Sequence, residues 1–202
     1  MKCAKKTSYG SMSVEDVQRK FNITFNLQTI FEPLPVVAPS DILKSALRRA
    51  SGLALFSEKS RSEFIVAPIL LEVRELAQEI ISIYSGVTFD VSPEEGLQGI
   101  CDFLITQSPP LPTIQAPIIM LVEAKKNDIE TGLGQCAAEM IAAQRVNQRN
   151  NYEQPYIYGC VTSGELWQFL RLKNTRLDID SEKLYIEHLD RILGFFLKII
   201  KG

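Results

Sequence analysis

The spacing of hydrophobic positions changes several times along the chain, and each change predicts an element. Ser13 followed by Asp16 reads as a helix cap, opening a short helix through about Phe21. Pro39 and Ser40 mark a second helix start, and Leu43, Ala46, Leu47 and Ala50 give that helix an apolar face. From Ser62 to about Tyr84, the residues Val66, Ile69, Leu70, Val73, Leu76, Ala77, Ile80 and Tyr84 form one stripe at helical spacing. Pro68 within it predicts a kink or a broken first turn, because proline offers no N–H and its ring crowds the preceding turn. The pattern then shortens. "GVTFDV" reads as a strand, "SPEEG" as a turn and "LQGICDFLIT" as a second strand, close enough to pair antiparallel. After a loop holding Pro109, Pro110, Pro112 and Pro117 comes a third strand, "IIMLVEAK". Its first half is too apolar for a surface strand and reads as buried on both faces. Residues 129–147 return to helical spacing, with Gly132, Gly134, Ala137 and Ala138 as small residues that let a helix lie close on a sheet. "YIYGCVT" is a fourth strand, "LWQFLRL" and "KLYIEHL" are two more, and "RILGFFLKII" is a closing amphipathic helix.

The order helix, three strands, helix, strand predicts an α/β domain over residues 60–202. Its central mixed four-stranded sheet is flanked by helices, with extra strands near the C-terminus. Residues 1–59 form an N-terminal helical extension whose first ten residues, small, polar and basic, are expected to fray. At 202 residues, 46% of them hydrophobic, the chain can bury one sizeable core. No apolar run is long enough to span a membrane and the N-terminus lacks a signal-like apolar stretch, so a cytoplasmic protein is expected. With 22 basic and 24 acidic residues the net charge is -2, so any nucleic-acid contact must use a local patch. The four cysteines are scattered without CxxC spacing and read as reduced thiols. His188 is the single histidine, which counts against histidine-based catalysis and histidine metal clusters.

Chemistry without histidine concentrates in "VEAKKND", residues 122–128. Strand alternation puts Glu123 and Lys125 on one face, with Ala124 pointing away. On the preceding strand Asp102 shares a face with Ile100 and Leu104, so pairing of the two strands brings Asp102 towards Glu123. Two carboxylates held together repel each other and raise one pKa unless a cation sits between them. Oxygen ligands suit Mg²⁺ or Mn²⁺. A lysine beside such an ion can hold or help deprotonate an attacking water, and the ion stabilises charge on a phosphate.

The order of helix, strand, Asp-bearing strand, "EAK" strand and a helix opening "GLGQ" resembles the PD-(D/E)XK nuclease superfamily, the restriction-endonuclease-like fold. The resemblance covers residues 60–170, and "YGCVTSGELWQFLRL", with its Thr-x-Gly turn and Trp-x-Phe strand, adds to it. It implies a metal-dependent nuclease acting on DNA, with RNA also open. It further implies a Mg²⁺ or Mn²⁺ ion held by Asp102, Glu123 and the carbonyl of Ala124, with Lys125 as the catalytic lysine. Gln135 matches a glutamine that some members direct at the site. An acid on the first helix often completes the set; Glu63, Glu72, Glu75 and Glu79 compete for that place. Glu63 falls about 70° from the centre of the apolar stripe and Glu72 about 110°, which selects Glu63. Cys101 stands where the named motif has proline.

A non-catalytic module of the same fold, binding nucleic acid or a protein partner, is the alternative reading. Partners implied for so short a chain are a protein supplying sequence specificity or a second copy of itself. The homodimer is expected to use apolar surface on the closing helix and on the helices before residue 60. Arg48, Arg49, Lys59 and Arg61 are candidates for a phosphate-contacting rim. Trp167 reads as core more readily than as a base-stacking residue.

Overall fold

The computed structural model describes residues 7–78, 80–126 and 128–202. In chain order the elements are α1 (Val14–Phe21), β1 (Thr24–Leu27), α2 (Asp41–Ala50), α3 (Glu58–Arg61), a π-helical segment (Ser62–Val66) and α4 (Ala67–Leu76). They continue with β2 (Ser82–Thr88), β3 (Ile100–Thr106), β4 (Ile118–Ala124), α5 (Glu130–Arg149), β5 (Ile157–Thr162) and β6 (Leu166–Lys173). β7 (Arg176–Ile179), β8 (Leu184–Tyr185) and α6 (Leu189–Lys201) complete the chain.

The fold is α/β, built on one mixed sheet. Among the described residues that sheet has eight strands, not a central four with additions, in the order β1-β7-β6-β5-β4-β3-β2, with β8 on β6. Two strands escaped the hydrophobic pattern. β1 and β7 are four residues each and pair in parallel, Thr24 opposite Arg176 through Leu27 opposite Ile179. Runs this short carry too little periodicity to stand out from loop. The lead-in before residue 59 is therefore not purely helical, since it supplies an edge strand. Of the stretch expected to fray, residues 1–6 lie outside the described residues, while Tyr9 is buried and donates its hydroxyl to the Phe89 carbonyl at 2.7 Å.

Helices cover both faces of the sheet. Val66, Ile69, Leu70 and Val73, with Phe195, Phe196 and Ile199 of α6, pack against Phe103, Val122, Trp167 and Phe169. On the other face Val17 of α1 and the small-residue side of α5 cover Leu104, Leu121, Val161 and Leu170. Close approach depends on glycine there: a Cβ at Gly132 would sit 2.6 Å from Val161 Cγ1 and 3.0 Å from Lys125 Cε. All seven residues of β4 are buried, as a strand between two helical layers requires.

The expected helix from Ser62 to Tyr84 is displaced at both ends. It begins at Glu58, capped by Ser57, and ends at Leu76, with Gln78 in the left-handed region at φ 54°. Ile80 and Tyr84 of the apolar stripe lie beyond it, Tyr84 in β2. Pro68 acts as its chemistry demands: it cannot donate to the previous turn, and the chain widens just before it, with Ala67 N–H donating to the Ser62 carbonyl. "KLYIEHL" forms only the two-residue β8 before a 3-10 turn over Ile186–His188. Seven large apolar side chains of α6, from Ile192 to Ile200, are buried, so α6 does not offer the surface expected for a second copy. Ile42 and Phe56, each 78% exposed, remain as apolar surface before residue 60. Among the described residues no helix is long and apolar enough to cross a membrane.

Candidate functional site

β3 and β4 pair antiparallel, Phe103 opposite Val122, which sets Asp102 beside the end of β4. Asp102 Oδ2 accepts from the Ala124 N–H at 2.8 Å, so a backbone donor of one strand pins the carboxylate of the other. β4 and β5 run parallel, and the Lys125 N–H donates to the Thr162 carbonyl at 2.7 Å, holding the strand end just where Lys125 leaves the sheet. Alternation then turns Glu123 and Lys125 towards α5.

Carboxylate oxygens of Glu58, Asp102 and Glu123 all lie within 4.8 Å of one another. Glu123 is 2% exposed; its Oε1 accepts from Lys125 Nζ at 2.6 Å, and its Oε2 has no hydrogen-bond partner among the described residues. Lys125 Nζ also donates to Gln135 Oε1 at 3.0 Å and stands 3.8 Å from Glu58 Oε1. Gln135 in turn donates to Glu139 Oε1 at 3.1 Å. Four elements thus converge: α3 brings Glu58, β3 Asp102, β4 Glu123 and Lys125, and α5 Gln135.

The electrostatics follow from this crowding. Burial, then the neighbouring Asp102 charge, push the Glu123 carboxyl up to about 8. Burial also raises Asp102, against the pull of the Ala124 N–H and Lys125. Burial works against the charge on Lys125, but attraction to Glu123, with help from Glu58 and Asp102, more than offsets it. Lys125 therefore sits above the ordinary lysine pKa and carries a full positive charge at neutral pH.

Glu63 is not brought to the carboxylate cluster, where the helix supplies Glu58 instead. Glu63 is exposed and pairs with Lys59 at 3.5 Å. Glu72 is buried elsewhere, accepting from both the N–H and the hydroxyl of Ser40 at 2.7 Å, and so ties α2 to α4. Glu75 is exposed, and Glu79 lies outside the described residues. A helix start at Ser62 leaves Glu58 outside the candidates, whereas the helix opens at Glu58. The signal was present: Ser57 caps the helix through Ser60, placing Glu58 in its first turn. Ala124 contributes its N–H to Asp102 and is itself buried.

The expected basic rim is largely engaged with its own neighbours. Arg61 donates to the Leu55 and Ser163 carbonyls and to Glu165, and Lys59 pairs with Glu63. Arg48 and Arg49 are exposed. Trp167 is fully buried, donating to the Gly164 carbonyl at 3.1 Å and meeting Phe196 edge-on, so it is core. His188 is exposed at the start of α6.

Compared with known proteins, the chain matches no family model, and no curated protein matches it.

Proposed function

We propose that this chain is a metal-dependent nuclease that hydrolyses phosphodiester bonds in DNA, of the PD-(D/E)XK kind. The observation that carries the reading is the cluster of Glu58, Asp102 and Glu123 oxygens within 4.8 Å, with the Lys125 ammonium 2.6 Å from Glu123. The donor set fits a hard divalent cation. It is all oxygen, and it includes a buried carboxylate oxygen, Glu123 Oε2, with no other partner among the described residues. Glu58, Asp102 and Glu123, joined by the Ala124 carbonyl, would hold Mg²⁺ or Mn²⁺, which when bound supplies Lewis-acid activation of water and neutralisation of phosphate charge.

The chain's own residues do the remainder. Lys125 has three N–H donors. Two point at Glu123 and Gln135, leaving the third for a phosphate oxygen. Because Lys125 keeps its proton, it acts by orienting and stabilising the phosphate as a cation. The buried strand β4 holds acid and amine within the narrow tolerances that in-line hydrolysis needs. RNA remains an alternative substrate, and a protein partner or a second copy would supply sequence specificity and cutting of both strands.

The alternative, a non-catalytic module of the same fold, draws on one observation: Arg61 is turned to Glu165 and the Ser163 carbonyl and not outward as a phosphate rim. One experiment separates the two. Wild type and Lys125→Met are incubated with single- and double-stranded DNA and RNA in Mg²⁺ or Mn²⁺, beside a filter-binding assay. Cleavage by wild type alone supports the nuclease. Binding without cleavage by both proteins removes it and leaves the module.

A further inference from the structure

Glu139 is a carboxyl placed where an apolar side chain would cost less. It is 0% exposed in the middle of α5, between that helix and the sheet, near Cys101 and Cys136. One oxygen, Oε2, has no hydrogen-bond partner among the described residues. Burying a carboxyl this way is unfavourable even when it is neutral. Its other oxygen accepts from Gln135 Nε2 at 3.1 Å, four residues earlier on the same face of α5.

The hydrogen-bond directions are dictated by chemistry. The Lys125 ammonium has donors only, so the Gln135 amide must turn its oxygen to it, as it does at 3.0 Å. The amide NH₂ is then left facing the helix interior, and Glu139 Oε1 is its acceptor there. Without that acceptor the amide nitrogen has no hydrogen-bond partner among the described residues, and its terminal torsion is broad and soft. Lys125 would keep Glu123 as its one firm acceptor and drift towards Glu58, already 3.8 Å away. Burial also lifts the Glu139 carboxyl well above the usual carboxylate range.

We propose that Glu139 is a positioning residue of this site: through the Gln135 amide it fixes the direction in which Lys125 presents its ammonium. The consequence for catalysis rests on the nuclease reading above; the positioning itself does not.

Two readouts keep them apart. The first is the lysine ¹³Cε NMR resonance of Lys125 in the metal-free full chain, assigned by its loss in Lys125→Arg. The second is DNA cleavage with Mn²⁺, together with Mn²⁺ affinity by calorimetry. Glu139→Met removes the acceptor at nearly constant volume, and Glu139→Gln restores a carbonyl oxygen in the same place. In Glu139→Met the Lys125 resonance is expected to move and sharpen, and kcat to fall roughly 10–100-fold with KM and Mn²⁺ affinity unchanged. Glu139→Gln is expected to resemble wild type in both readouts. Gln135→Met cuts the same link from its other end and must reproduce the Lys125 change; an unmoved resonance there overturns the inference even if Glu139→Met does not fold. A Glu139→Met protein that matches wild type, or a Glu139→Gln protein as impaired as Glu139→Met, overturns it too. A wild type that cuts nothing removes the nuclease reading, and the Lys125 resonance alone then decides the role of Glu139.

Discussion

The pH dependence of metal-free stability is the sharpest consequence of the carboxylate cluster. Glu123 has an ordinary pKa of 4.5 and is raised to about 8 in the folded protein. A group raised in this way favours the folded state most below its unfolded pKa, and that advantage is lost as pH rises through the folded pKa. The difference between 4.5 and about 8 corresponds to about 5 kcal/mol. Asp102 and Glu139 are raised as well, so they act in the same direction. The metal-free protein should therefore lose stability steadily between about pH 5 and pH 8. Asp102→Asn isolates one contributor. Two unit charges no more than 4.8 Å apart repel by at least about 3 kcal/mol at an effective dielectric constant near 20. Asp102 also attracts Lys125, so the net relief at pH 8 should be about 1–2 kcal/mol. The asparagine oxygen can still accept from the Ala124 N–H, so the strand contact survives. At roughly 2–4 °C per kcal/mol for a chain of this size, thermal melts in a pH series resolve the effect. Mg²⁺ or Mn²⁺ should raise the wild-type midpoint by mass action and leave Asp102→Asn nearly unmoved. A metal-free wild type whose melting point is flat or rising from pH 5 to 8, or an Asp102→Asn protein less stable at pH 8, would refute the reasoning.

Three further outcomes are expected. Lys125→Met should abolish cleavage yet leave Mn²⁺ affinity equal or higher, because its ammonium no longer occupies Glu123 Oε1; calorimetry beside the cleavage assay reads this directly. Glu58→Gln should weaken Mn²⁺ binding while Glu63→Gln does not, since only Glu58 belongs to the cluster; equal affinities in the two variants would return the helix acid to the surface. Gly132→Ala should destabilise the fold by about 1–3 kcal/mol in denaturant melts, because the added methyl meets Val161 at 2.6 Å and crowds the Lys125 stem at 3.0 Å.

Much of this molecule is written in local pattern. The caps at Ser13 and Ser40 placed α1 and α2, and the apolar run before Glu123 placed β4 as a buried strand. These features depend on neighbours within a turn or a pleat, so one stretch of chain is enough to reveal them. The alternation of β4 likewise put Glu123 and Lys125 on one face, and strand order brought Asp102 beside them. The choice of helix acid was different. It depended on where the helix begins and on its winding across the π turn before Pro68, and a regular 3.6-residue wheel carried across that turn has the wrong phase. β1 becomes a strand because β7 lies beside it, and β7 because it lies between β1 and β6; neither holds enough apolar residues to announce itself. Electrostatics belong wholly to the tertiary structure. Lysine and glutamate two residues apart can be a solvated rim or a buried pair. The layer of α5 over the strand end excludes water and raises Glu123, while the neighbouring carboxylates keep Lys125 charged against that burial. Glu139 belongs to that category as well. In sequence it is one acid in a long helix, and only the fold shows that its partner is the glutamine facing Lys125.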